Sequence, residues 1–164
     1  NVPLNELEEI IDYAINNDYP IAWASDVSEK GFSWRNGVAI VPELKVDDMA
    51  GTERERWEKL TQAEKDKEMY SFDKPIQEKE ITQENRQEGF DNYTTTDDHG
   101  MIMHGIYKDQ NGNKFYKIKN SWDVNNPYDG YFFASKAFVL YKTTDIMLHK
   151  NAVPKAIAKK LNLK

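Results

Sequence analysis

The pentapeptide Asp109-Gln110-Asn111-Gly112-Asn113 is the strongest folding instruction in this chain. It is flanked by Met101 to Tyr107 and Lys114 to Lys119, and Asn-Gly between two alternating segments is the strongest short-range signal of a β-hairpin. The remainder of the second half continues as strands. Tyr131-Phe132-Phe133 follows a turn at Gly130, and Ile146-Met147-Leu148 reads as another strand. Between them Ser135 to Leu140 reads as a short helix, and Val153-Pro154 opens a final helix carrying Ile157, Ala158 and Leu161.

The first half is helical in pattern. Leu4, Leu7, Ile10, Ile11, Ala14 and Ile15 recur at three- and four-residue spacings from Pro3 to Asn16, with Glu6, Glu8 and Glu9 in the early turns, where the helix dipole favours acids. Ile21-Ala22-Trp23-Ala24 is too short for a helix and is bounded by turn residues, so it reads as a buried strand, with Asp26 at the mouth of the loop that follows. Glu43 to Phe72 is dominated by charges and reads as an exposed helix or inserted flap. Thr82 to Gly89 reads as a second short helix, capped by Thr82 and stopped by Gly89.

At 164 residues and 39% hydrophobic content the chain has a one-domain length and enough apolar matter for a core. No apolar run approaches the roughly 20 residues that span a bilayer. The 22 basic and 28 acidic residues leave a net charge of −6, and no basic stripe interleaves with aromatics, which argues against nucleic acid as a partner. With zero cysteines the chain offers no disulfide, no thiolate metal ligand and no thiol nucleophile. It opens without methionine almost directly into a helix, which reads as a fragment or processed segment.

Among three histidines, His99 stands at the start of a strand after the polar run Thr94 to Asp98, where an imidazole sits at a sheet rim within reach of a substrate. A strand-edge histidine is more often structural than catalytic. His104 is five residues on and points to the opposite face of a regular strand, so a shared metal site is not expected. Asn120 closes the returning strand. With a two-residue turn at Asn111-Gly112, residue 103 opposes Asn120, and parity puts His99 and Asn120 on one face. That register separates them by roughly 13 Å along the strand, so contact requires a bulge or a shifted pairing. The competing reading of Asn120 is a simple strand-end cap.

Asp98-His99-Gly100-Met101-Ile102-Met103-His104-Gly105 resembles the papain-family strand that begins with the catalytic histidine, and Lys119-Asn120-Ser121-Trp122 followed by Asp129-Gly130-Tyr131 resembles that family's Lys-Asn-Ser-Trp and Gly-Tyr segments. Tyr19 to Val27, with its Asp26-Val27, and Glu84 to Phe90 are similar to the aminopeptidase C and bleomycin hydrolase branch. The resemblance is weakest from Glu43 to Lys79, expected to be a charged insertion at 43–79 within a single domain, 1–164.

The resemblance implies an α+β, papain-like fold, here its C-terminal part, with an antiparallel barrel-like sheet and flanking helices. It implies a cysteine-type peptidase that hydrolyses peptide substrates through a thiolate-imidazolium pair, with His99 as base and acid, Asn120 orienting the ring and Trp122 shielding their hydrogen bond. Asp98, Gly100 and Asp26 are the expected cleft residues. No cofactor or metal is implied. The nucleophilic Cys and the oxyanion Gln belong to an N-terminal half that this sequence lacks, so the chain alone is expected to be inactive. Asp123 replaces the usual Gly after the Trp, and the chain stops at Lys164, before the C-terminal arm of bleomycin hydrolases.

Resemblance also implies hexamers and a cytoplasmic location for many members. A signal peptide upstream would instead mean secretion or the periplasm, and Asn92-Tyr93-Thr94 matches a glycosylation sequon. Two other readings compete: a degenerate peptidase-like module that binds peptides or assembles with partners, and a glycan-binding domain using exposed Trp34 and Trp57.

Overall fold

The computed structural model describes residues 1–163. Helix α1 spans Leu4–Asn16 and buries Leu7, Ile10, Ile11 and Ala14 along one stripe, as the spacing predicts. It ends where the backbone N–H and side-chain amide of Asn17 both return to the Tyr13 carbonyl and Asp18 turns left-handed at φ 63°. The buried stripe packs on a seven-stranded sheet.

The strands are β1 (Ile21–Ser25), β2 (Phe32–Ser33), β3 (Val38–Ala39), β4 (His99–Lys108), β5 (Lys114–Lys119), β6 (Tyr131–Ser135) and β7 (Thr143–Met147). Their order across the sheet is β2-β3-β6-β5-β4-β1-β7. Five of these pairings are antiparallel, and β3 with β6 is parallel. The α+β class and the curled, barrel-like sheet of the expectation hold, with that one parallel pair added. Trp23, Met101, Met103, Tyr116, Ile118, Phe132 and Phe138 form the centre of the core. No described helix is long and apolar enough to cross a membrane.

The hairpin forms where Asn-Gly places it, but its register differs from the expected one in two steps. The turn is a five-residue loop closed by Lys108 opposite Lys114, not a two-residue turn. The Asp109 carboxylate holds that loop by accepting from the Asn111 and Asn113 amides, both at 2.8 Å, while Gly112 takes φ 85°. Further along, Met103 pairs with Ile118 and Gly105 with Lys117, leaving His104 as a bulge. Each step moves the pairing by one residue in the same direction. Met103 therefore opposes Ile118 rather than residue 120, and the inward-facing residues change from Met101 and Met103 to Ile106 across the bulge.

The charged segment forms α2 (Gly51–Lys59) and α3 (Gln62–Met69), the latter opened by a Thr61/Glu64 capping box. Its ends meet, because Glu43 N donates to Gln77 O, Lys79 N donates to Val41 O, and Pro42 bridges Glu78. Trp57 is buried at 6% exposure and Trp34 is half-buried, which removes the exposed tryptophan pair on which a glycan-binding reading rested.

Helix α4 spans Gln83–Asp91 with Thr82 as its cap. Gly89 does not stop it. This glycine is buried inside the helix, where an added Cβ would lie 3.2 Å from the Thr95 hydroxyl, so its small size serves packing against the 94–95 loop. Helix α5 (Lys136–Lys142) is capped by Ser135, whose hydroxyl accepts from Phe138 N, and α6 (Lys155–Lys160) follows Pro154.

Candidate active site

The two register steps bring His99 and Asn120 together. With Ile102 opposite Lys119, the strand ends place them diagonally across β4 and β5 on the inward face, and His99 Nε2 lies 2.7 Å from Asn120 Oδ1. Two steps of one residue leave parity unchanged while shortening the separation by two residues, which is the bulge and shifted pairing that contact required.

The hydrogen bonding assigns the roles. Asn120 is buried, and its Oδ1 also accepts the Ser121 backbone N–H at 2.7 Å, which fixes the amide with its oxygen toward the imidazole. His99 Nε2 therefore donates, and in the neutral ring Nδ1 keeps its lone pair. Asn120 Nδ2 is buried with no partner. The Asn120 amide N–H reaches the Gly130 carbonyl at 3.1 Å, tying the strand end to the turn before β6.

Trp122 stacks on the imidazole with ring centroids 5.1 Å apart and planes 30° apart. Its indole is braced edge-on by Phe32 at 5.8 Å and Trp34 at 5.5 Å, and it remains 42% exposed on its other side. The loop carrying Trp122 is fastened by buried Asn126, which donates to Tyr131 O at 2.6 Å and accepts from Gly130 N at 2.8 Å. Asp123 folds its carboxylate onto the Val124 amide at 2.7 Å, a polar turn where the family pattern has Gly. Sequence reasoning missed Phe32 and Asn126, and it took Trp34 for an exposed surface residue rather than a neighbour of Trp122. Phe32 and Trp34 lie on or beside a two-residue strand with no readable period, while the Asn125-Asn126-Pro127 run is a turn signal that points to Asn126.

The other expected cleft residues divide. Gly100 is exposed, with open space over its Cα, and lines a groove of about 550 Å³ with Ala22, Ala24, Ile102, Asn120 and Met147. Asp98 is exposed directly before His99. Its Oδ2 accepts the Val27 and Ser28 amides at 3.3 and 3.1 Å, and its Oδ1 accepts the Thr96 hydroxyl at 2.8 Å. Hydrogen bonding by Ser28 foremost, with Thr96 and Asp26 adding, lowers its pKa to about 2.

Asp26, expected in the cleft, is instead buried at 3% exposure. It accepts Ser28 N at 2.9 Å and Thr96 N at 3.2 Å, and burial raises its pKa against the pull of those amides. The two carboxylates share Ser28 and Thr96 as donors, so Asp26 braces the turn beside His99 from within. Among the described residues no group of three or more His, Asp or Glu side chains is arranged to hold a metal ion.

The crystal structure of PepW from Lactobacillus rhamnosis HN001 superposes on all of this chain, 100%, with a TM-score of 0.59 at 16% identity. The chain spans only 31% of PepW's own length. Bromelain protease from Ananas comosus, in complex with the E64 inhibitor, matches 89% of this chain and 46% of its own, with a TM-score of 0.42 at 14% identity. No curated protein sequence matches. The sequence profile of the Peptidase C1-like family matches residues 49–164, more than half of the chain and the part that holds His99, Asn120 and Trp122. The chain belongs to the Peptidase C1-like family, on a papain-like fold.

Proposed function

We propose that this chain is the histidine- and asparagine-bearing part of a cysteine peptidase of the aminopeptidase C or bleomycin hydrolase branch. The observation that carries the reading is the 2.7 Å His99–Asn120 hydrogen bond with its donor direction fixed by Ser121. With Nε2–H committed to Asn120, Nδ1 is the nitrogen left to take a proton from a thiol. The resulting imidazolium pairs with the thiolate, which attacks a peptide carbonyl, and His99 then returns the proton to the leaving amine. Asn120 selects this tautomer of the neutral ring and holds the same ring orientation when the imidazolium forms. Trp122 covers one face of the pair and lowers the local dielectric around the hydrogen bond.

The chain contains no cysteine, so the nucleophile and the oxyanion Gln come from a preceding N-terminal half, and residues 1–164 alone do not hydrolyse peptides. Two observations support this division: the chain spans 31% of PepW, and the groove along Ala22, Ala24, Gly100, Ile102 and Met147 offers an uncovered apolar face beside Asn120. Gly100 on that face approaches the reacting groups, and the peptide substrate lies along it. Cleavage near free N-termini follows from the branch assignment.

The experiment is hydrolysis of fluorogenic aminoacyl substrates by the intact protein, with and without a thiol alkylator and with His99→Ala as control. Activity that is lost both on alkylation and in His99→Ala supports the reading. A well-folded intact protein that hydrolyses nothing across a broad panel yet binds peptides establishes a degenerate binding module instead.

A further inference from the structure

Lys142, the last residue of α5, has its side chain only 4% exposed, and burying an ammonium is costly unless it is paired and hydrogen-bonded. On one side it meets the Glu29 carboxylate and, at 3.6 Å, Asp26. On the other it donates to the Thr94 carbonyl at 2.8 Å and the Thr95 hydroxyl at 3.2 Å. Its own carbonyl accepts the Asp26 amide at 3.1 Å and the Ser25 hydroxyl at 3.0 Å. Two loops are thus hung on one residue: the turn leaving β1, and the 94–98 segment that enters β4.

Those loops meet at His99. Ser25 is the strand partner of His99, Asp26 accepts the Thr96 amide, and Asp98 accepts the Val27 and Ser28 amides one residue before His99. Beyond the contacts of the imidazole itself with Asn120 and Trp122, the start of β4 is held by its pairing with Ser25, by the 25–29 turn with the ammonium behind it, and by the Thr144 hydroxyl, which donates to Asp97 at 2.7 Å.

We propose that Lys142 is a positioning residue for His99: its buried ammonium clamps the 94–98 segment to the 25–29 turn and so fixes the strand end from which the imidazole reaches Asn120. The proposal rests on the role given to His99 above. Lys142 touches neither the imidazole nor a substrate, and it acts through Asp26 and the backbone. Replacing it leaves the Asp26 and Glu29 carboxylates without their shared cation and the Thr94 carbonyl without its donor.

The test is NMR on protein labelled with 15N at histidine, with His99 assigned through His99→Gln. The His99 Nε2–H proton, hydrogen-bonded to Asn120, gives a downfield signal protected from solvent exchange, and its absence from the unsubstituted protein overturns the proposal. In Lys142→Met and in Asp26→Asn that signal is lost, while amide protection at Ile118 and Phe132 in the sheet centre persists. A residue that serves stability alone lowers the melting temperature of both variants and leaves the signal in place, which also overturns the proposal.

Native-state hydrogen exchange of the unsubstituted protein decides the matter if neither variant folds. The amides of Asp26, Ser28 and Thr96 and the His99 ring proton then open together at one rate, whereas independent opening of the ring proton refutes the clamp. Neither measurement needs hydrolysis. A protein inactive in the substrate assay that still shows the coupled signals keeps the clamp and loses the peptidase reading, and an active one whose variants retain the signal does the reverse.

Discussion

Asp98 and Asp26 accept from the same Ser28 amide and yet titrate in opposite directions, one exposed and rich in donors, the other buried. The depressed carboxyl of Asp98 contributes stability that is present above its unfolded value near 3.8 and is lost as pH falls toward about 2. The raised carboxyl of Asp26 works the other way, its contribution being full below 3.8 and lost as pH rises. Asp98→Asn should therefore flatten the acid limb of a melting-temperature profile between those two values, by a modest amount because solvent screens an exposed group. An unchanged limb would mean that its hydrogen bonds form equally in the unfolded chain. At this scale the sequence was legible for His99, Asn120 and Trp122, whose types and order carry the motif. It was silent about Lys142, because the groups gathered around that side chain and its carbonyl lie 47 to 117 positions away, and it misled about Asp26, since a loop-mouth aspartate looks exposed until its buried cation is known.

Helices α2 and α3 are joined by Arg56, whose guanidinium makes a two-pronged bond to Glu68 at 2.7 and 2.9 Å, and are tied back by Lys30 to Asp66 at 2.6 Å. These pairs are exposed and individually weak. Trp57 is the one buried residue of α2, and α3 buries none. Trp57→Ala should cost about 3 kcal/mol within this unit and unfold it locally. Hydrogen exchange should then show α2 and α3 amides losing protection while β5 and β6 keep theirs; a uniform loss would show instead that the helical pair belongs to the main cooperative unit. Elements with a clear pattern were legible: α1, β1, the β4–β5 hairpin, β6 and α5 form where the sequence places them, whereas β7 runs from Thr143 to Met147 and so begins three residues before the strand expected at 146–148. The two-residue strands β2 and β3 are too short to show alternation, and Trp57 looked solvated because its neighbours in sequence are charged. Hairpin register lay beyond the sequence as well, since the His104 bulge is chosen by which residues the core accepts on either side of it.

At the scale of the molecule, the β7-β1-β4 edge of the sheet presents Ile102 at 44% and Met147 at 72% exposure next to small Ala22, Ala24 and Gly100. If a cysteine-bearing segment covers this face in the active protein, Ile102→Arg abolishes hydrolysis while the far-ultraviolet spectrum and the His99 Nε2–H signal stay as they were. Retained activity in Ile102→Arg would mean that the face is open to water during catalysis and that the nucleophile approaches from elsewhere. The β4–β5 hairpin sets the other global constraint, since one strand must serve the core at both of its ends and the site at only one. Its two one-residue displacements cancel in face and add in distance. Length changes in this strand are therefore legible to the fold only in twos: a single residue inserted between Gly100 and Met101 turns His99 outward with Met101 and Met103 still in the core, and a second one beside it turns the ring back inward, two residues further from Asn120. A lineage altering this segment would drift silently in stability while losing and regaining the histidine, much as a reading frame is lost and regained.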